Sequence, residues 1–139
     1  METINHEYYV SLEVAKLLKR AGFKWFVNFA YRDDILVSQE NSLCDNFNGK
    51  HYENSTMHEF FSAPSLDVAQ RWLRESKGLH ICVKPNEASV NCKYFVTVIV
   101  SDTKWGNVQD DNRQTIMFDT YEEAQEAGIQ KCLTILLEE

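Results

Sequence analysis

The sequence predicts an α+β fold: an antiparallel sheet of about five strands covered on one face by three helices, in the order α-β-β-α-β-β-β-α. Apolar residues recur at helical spacing in three segments and alternate with a period of two in the segments between them. Tight turns join the alternating segments, which makes neighbouring strands antiparallel. Helices with one apolar face must cover a sheet. With 139 residues, the chain has the length of a single domain, predicted here over residues 1–139.

The first helix is predicted from Leu12 to about Ala21. Ser11 precedes it, and a serine hydroxyl at this place accepts a hydrogen bond from a free backbone amide. Gly22 follows the last apolar residue, where helices commonly end on a residue with positive φ. Serine and glycine therefore bound the predicted helix on both sides.

From Lys24 the apolar period changes to two, which predicts a strand. Asp33 and Asp34 form a turn pair, and an apolar segment beginning at Ile35 returns along the first strand. This pattern is typical of a β-hairpin.

Residues 39–62 form an irregular, aromatic-containing loop, with many asparagine, aspartate and glycine residues that favour turns. We expect its aromatic residues to pack the loop onto the domain, with short strands around Tyr52 and Phe60. Long ordered loops in small domains are often functional.

The second half of the chain repeats the alternation of helix and strand. A helix is predicted from about Leu66 to Ser76, followed by strands at Leu79–Lys84 and Tyr94–Val100, the latter apolar on both faces and therefore central. Ser101–Arg113 is predicted to be a polar loop, with a short strand at Thr115–Phe118. The hydroxyl of Thr120 is expected to cap the last helix, Tyr121 to about Leu137.

Composition excludes several classes of protein. The 14 lysines and arginines are outnumbered by 21 aspartates and glutamates, and a net charge of −7 opposes binding to the phosphate backbone of nucleic acids. No apolar run approaches the ~20 residues that span a bilayer, and the first residues do not resemble a secretion signal. We therefore expect a soluble, cytoplasmic protein whose four cysteines form no disulfides.

The sequence predicts no catalytic, cofactor-binding or metal-binding residues. Cys44, His51 and His58 are seven residues apart, whereas zinc sites use closer ligand pairs. Glycine-rich phosphate-binding motifs are absent from the sequence. We expect a protein that is not an enzyme and needs no cofactor.

Surplus aromatic residues predict a surface that binds another protein. The candidate residues of this surface are Trp25, Tyr52, Phe60 and Trp105. Two alternatives remain open. One is an enzyme with a dispersed site near residues 39–62. The other is a nucleic-acid-associated protein that uses the basic residues of the first two helices, namely Lys16, Lys19, Arg20, Arg71, Arg74 and Lys77. Partner identity and oligomeric state are left open.

Three helix starts carry a resemblance that covers most of the chain. They are Tyr9–Leu18 with Gly22 and Phe23, Ala63–Leu66 with Ala69–Arg74, and Thr120–Ala124 with Ala127 and Gly128. In these segments the chain resembles small uncharacterised proteins of phages and mobile elements of Bacteroidetes-type bacteria. The resemblance implies a genomic setting and no particular chemistry.

Overall fold

Three helices and two three-stranded antiparallel sheets make up most of the regular structure. The computed structural model describes residues 8–38, 45–49, 52–53, 56–88 and 91–138, with the backbone alone at 52, 53, 56 and 57. Contacts divide the chain into two compact units, Met1–Ser65 and Leu66–Glu139. The predicted α+β class is confirmed, whereas the single domain over residues 1–139 stays a prediction.

Helix α1, Leu12–Arg20, has both of the predicted ends. The Ser11 hydroxyl accepts a backbone amide hydrogen bond at 3.3 Å in the first turn. Gly22 has a φ of 93°, a conformation that side chains disfavour, and the Phe23 amide then donates to the Leu18 carbonyl at 3.0 Å. Local chemistry alone therefore sets where this helix begins and ends.

The sheet of the first unit has the order β2-β1-β5. Its first two strands form the predicted hairpin, in which Asp33 and Asp34 have φ values of 49° and 72°. Positive φ at both positions defines a turn whose twist matches that of paired strands. The strands in the described part of this unit are β1 Phe29–Arg32, β2 Ile35–Ser38, β3 Tyr52–Glu53, β4 Thr56–Met57 and β5 Phe60–Ser62.

Strand β1 begins five residues later than predicted. At Lys24 the prediction begins a strand, but Val27 makes only an isolated bridge, with Asp45. Regular pairing starts at Phe29, because β5 and β2 flank the chain only from there on.

Aromatic residues pack the described part of residues 39–62 onto the first unit, as predicted. Phe47 opens a 3-10 turn, Phe47–Gly49, and is 1% exposed. Its ring lies 6.5 Å from that of Phe60, which is 4% exposed. β3 and β4 pair as a short hairpin near the strand predicted around Tyr52.

The second unit contains a three-stranded antiparallel sheet with the order β6-β7-β8. The central position predicted for the strand that begins at Tyr94 is confirmed. Within the described ranges of the chain, no helix is long and apolar enough to cross a membrane. The elements of this unit are α2 Leu66–Lys77, β6 His80–Pro85, β7 Tyr94–Ser101, β8 Lys104–Asn107 and α3 Tyr121–Leu137.

Helix α3 lies against β6 and β7. Its closest approach is at Gly128, where a Cβ atom would meet Val96 Cγ2 at 2.7 Å and Ile81 Cγ2 at 2.8 Å. The core of this unit is apolar on the sheet face and on both helices. Its buried residues are Leu66, Ala69, Trp72, Leu73, Leu79, Ile81, Val96, Val98, Ala124, Ile129, Cys132 and Leu133.

Three further predictions about the strands are wrong. The predicted single sheet of about five strands is replaced by two three-stranded sheets and the β3–β4 pair, and β5 completes the first sheet by pairing with β1. The predicted polar loop Ser101–Arg113 contains strand β8, which a two-residue turn joins to β7. The strand predicted at Thr115–Phe118 makes isolated bridges only, from Thr115 to Gln109 and from Phe118 to Tyr94.

Candidate functional site

The four aromatic residues predicted to bind a partner occupy different environments. Trp25, in the first unit, is half-buried, with its ring 6.3 Å from that of Phe23. Phe60 is 4% exposed and belongs to the core of that unit instead of a surface. The side chain of Tyr52 lies outside the described residues. Trp105, in the second unit, is 68% exposed, so this ring is available to a partner.

Trp105 lies on an edge strand, and edge strands present unpaired backbone groups that attract other chains. Of the two edges of the first sheet, β2 and β5, the β5 edge shows how side chains can cover such groups. At β5, the backbone groups of Phe60 and Ser62 point away from β1, because the residues around them make the ladder bonds. The Lys19 ammonium donates to the Phe60 carbonyl at 3.0 Å, and the Ser62 amide donates to Asn48 Oδ1 at 2.8 Å. Side chains therefore occupy this edge.

The β6 edge of the second sheet is protected in part. The Asn86 amide donates to the Lys93 carbonyl at 2.7 Å, which places the backbone groups of Ile81, Val83 and Pro85 on the side away from β7. Gln70 Nε2 donates to the Ile81 carbonyl at 3.1 Å. Pro85 has no amide hydrogen to offer. The amide and carbonyl of Val83 have no such cover among the described residues, so the β6 edge is protected only in part.

The β8 edge lacks such protection among the described residues. The Val108 amide donates to the Val96 carbonyl at 3.0 Å, and this register makes Gly106 the next residue bonded to β7. The backbone amides and carbonyls of Trp105 and Asn107 consequently point away from the sheet. In the described ranges, none of the backbone hydrogen bonds outside regular strands involves Trp105 or Asn107.

The two faces of β8 differ. Trp105 pairs with Ile99 of β7, and both side chains lie on the face opposite α3, 68% and 37% exposed respectively. On the same face, the Thr97 hydroxyl donates to Asn107 Oδ1 at 2.6 Å. This bond holds β8 against β7 and leaves the Trp105 ring as the main apolar feature of the edge.

On the face toward α3, a hollow of about 160 Å³ lies beside β8. Apolar side chains of β7 and α3, including Val98 and Ile135, line it, and Gly106 opens it because a Cβ there would meet nothing within 4 Å. Small-molecule sites usually measure about 300–1,000 Å³. The hollow is therefore suited to one side chain of a partner.

Two lysines give the hollow a positive charge. Lys104 of β8 and Lys131 of α3 both line it, and both are exposed. The ion pairs of the described residues include His58 with Asp33, Arg71 with Glu75 and Lys93 with Asp119, and neither Lys104 nor Lys131 pairs with a described acid. The two ammonium groups therefore remain available to an acidic ligand.

The residues considered for metal binding or catalysis are only partly described. Cys44 and His51 lie outside the described residues. His58 Nδ1 lies 2.5 Å from Asp33 Oδ2, at the tip of the β1–β2 hairpin. Within the described ranges, no group of three histidine, cysteine or acidic residues could hold a metal ion. The enzyme alternative stays a prediction.

Several basic residues of the first two helices already have partners. The Lys19 and Lys16 ammonium groups lie 4.9 and 5.7 Å from the centre of the Phe61 ring. Arg71 pairs with Glu75 at 3.1 Å, and Lys77 lies 5.6 Å from the Trp72 ring. These contacts do not favour a cationic surface for nucleic acid, and that alternative also stays a prediction.

Trp105 could be predicted from the sequence, but the features around it could not. Lys104, Gly106 and Lys131 were not candidates, because their proximity depends on the register of β8 and on the placement of α3. One signal was available: Asp102 and Thr103 form a two-residue turn after a clear strand, which is typical of a hairpin.

Comparison with known proteins adds no relative. No protein-family model matches the chain, and no curated protein or solved structure is similar to it. The resemblance to phage and mobile-element proteins stays a prediction. The function must therefore be argued from the geometry of the chain itself.

Proposed function

We propose that this chain is a non-enzymatic binding protein that takes up an extended segment of another protein along the β8 edge. The observation that carries the proposal is the open edge at Trp105 and Asn107, beside an indole ring that is 68% exposed. An added strand gains affinity from its backbone hydrogen bonds and specificity from alternate side chains.

The contrast between edges supports this choice. Lys19 and Asn48 occupy the β5 edge, while Gln70 and Pro85 cover part of the β6 edge. Proteins protect exposed edges because open ones invite association. An edge that is left open and carries a tryptophan is suited to binding, since tryptophan is among the residues that contribute most at protein interfaces.

The test is selection of binders from a library of displayed random nonapeptides, using the full chain as bait. We expect enriched peptides to be rich in strand-forming residues and to protect the Trp105 and Asn107 amides from hydrogen exchange. Trp105→Ala should weaken the binding of a synthetic enriched peptide about thirtyfold, the effect of losing about 2 kcal/mol at an interface tryptophan. Fluorescence anisotropy of the labelled peptide measures the affinity.

Phe26→Ala is the matched control, because Phe26 is also 68% exposed but belongs to the first unit. It should leave the affinity unchanged. Trp105→Pro removes the outward amide as well as the ring, and should bind more weakly than Trp105→Ala while keeping the ladder bonds to β7. The proposal fails if no peptide is enriched, or if both alanine variants bind the enriched peptides as the parent chain does.

A further inference from the structure

The geometry points to the chemistry of the bound segment, and we infer that it is acidic. The residue that it places beside Gly106 is aspartate or glutamate, held between Lys104 and Lys131. The residue next to it in the segment is apolar and packs on Trp105. This inference rests on the proposed function, since it concerns the same edge.

The alternation of strand side chains sets these positions. A residue added beside Gly106 points to the α3 face, where the hollow opens, while its neighbour beside Trp105 points to the opposite face. Directly opposed side chains on paired strands lie about 4.5–5.5 Å apart at Cβ. Because Gly106 has no side chain and a Cβ there would meet nothing within 4 Å, the incoming side chain has space above it.

The positive charge beside that space favours an acidic side chain there. Lys104 and Lys131 line the hollow from two different elements, β8 and α3, and are in no ion pair with another described residue. A carboxylate placed there gains charge-assisted hydrogen bonds. The apolar side chains of Val98 and Ile135 lie against its methylene groups. A lysine or arginine at the same position is repelled.

A second copy of the chain is a poorer occupant. Paired with itself, β8 offers lysine, tryptophan, glycine and asparagine, with no acid to meet the lysines. Each copy also carries a net charge of −7, so two copies repel each other. An acidic segment of a different protein meets the local positive charge of the edge.

The test uses the enriched nonapeptides and synthetic versions of the tightest one. We expect an aspartate or glutamate next to an apolar residue in most enriched peptides. Replacing that acid by its amide should raise the Kd about tenfold, as expected for loss of one hydrogen bond to a charged group, and high salt should reduce the difference. The doubly substituted chain K104E/K131E should prefer a peptide with lysine in place of the acid.

Lys84→Glu is the matched control, because Lys84 is an exposed lysine on β6 of the same sheet and does not line the hollow. It should leave the preference for the acidic peptide intact. Circular dichroism of each variant checks that the fold is retained.

The outcomes separate this inference from the proposed function. If peptides bind in a Trp105-dependent manner but carry no acid, the inference is overturned and the binding function stands. If no peptide binds, both fall. Sedimentation velocity tests whether a second copy of the chain is the ligand. A dimer that Trp105→Ala dissociates would show that it is, and would overturn the inference.

Discussion

The Cys132 thiol is fully buried between α3 and the second sheet, with 0% of its surface exposed. Burial raises its pKa from 9.0 to about 12, because the thiolate loses its hydration in an apolar core. In the unfolded chain the same thiol ionises near its ordinary pKa. Between pH 9 and about 12, the folded protein therefore keeps the Cys132 proton, whereas the unfolded chain releases it.

This difference predicts how stability depends on alkaline pH. Below pH 9 the thiol is protonated in both the folded and the unfolded state, so its full contribution to the free energy of unfolding is present. As pH rises from 9 toward 12 only the unfolded state loses it, so the free energy of unfolding falls by about 1.4 kcal/mol per pH unit from this group. Urea unfolding at several pH values from 8 to about 10.5 measures this slope.

Cys132→Ala is the control, because it removes this proton while other alkaline groups titrate as before. The variant is less stable throughout, since a side chain is missing from the core, but its stability should fall less steeply above pH 9. Parallel curves for the parent and the variant would show that Cys132 does not contribute. The half-buried Cys82 and the exposed Cys92 are free thiols in both proteins.

At the scale of elements, the contact of α3 with its sheet depends on Gly128. The helix has threonine at its N-cap, where the Thr120 hydroxyl accepts from the Glu123 amide at 3.1 Å. Glycine normally weakens a helix interior by about 1 kcal/mol relative to alanine. Here the absence of a side chain lets the helix approach Val96 and Ile81.

Gly128→Ala is therefore predicted to destabilise the protein although alanine favours helix. The new methyl group would lie 2.7–2.8 Å from two branched core side chains, and overpacking of this kind costs about 1–3 kcal/mol. Gly106→Ala is the matched control, because its Cβ would meet nothing within 4 Å, and its stability should change by less than about 0.5 kcal/mol. Thermal unfolding of both variants decides; a Gly128→Ala protein as stable as its parent contradicts the packing argument.

The helices could be predicted from sequence because their ends are encoded locally. Ser11, Gly22 and Thr120 each act within one turn, and each was identified from its position beside an apolar pattern. The β1–β2 turn at Asp33 and Asp34 was found for the same reason.

Strand β8 was missed because an edge strand needs partners on one side only. Its residues are polar apart from Trp105 and match the composition of a loop. What makes it a strand is its pairing with β7, and pairing depends on contacts that the local sequence does not show. Trp105 could be predicted from its residue type alone. Lys104 and Lys131 could not, because their place beside it depends on the pairing of β8 and on the position of α3.

At the scale of the whole molecule, the chain consists of two units, each with its own sheet and its own core. The sequence predicted one sheet, because the alternation of apolar residues predicts strands but not which strands pair. The decisive pairing is that of β5 with β1, where Tyr31 lies opposite Phe61. With this pairing the first sheet is complete before α2 begins.

This organisation predicts that residues 63–139 fold without the preceding chain. The second unit has two helices and a three-stranded sheet around a continuous apolar core that includes Trp72, 4% exposed. A core in a chain of this size rarely supplies more than about 3–5 kcal/mol of stability. A fragment that starts at residue 63 contains the whole of the second unit, Leu66–Glu139.

We expect this fragment to show a cooperative urea transition and the near-ultraviolet signal of a buried tryptophan. The same fragment with Trp72→Ala is the control, because loss of this buried side chain costs about 3–5 kcal/mol and should abolish the transition. A fragment that unfolds without cooperativity would show that the second unit depends on the first. A cooperative fragment that still binds the enriched peptides would place the open edge, the Trp105 ring and the two lysines in one independently folding unit.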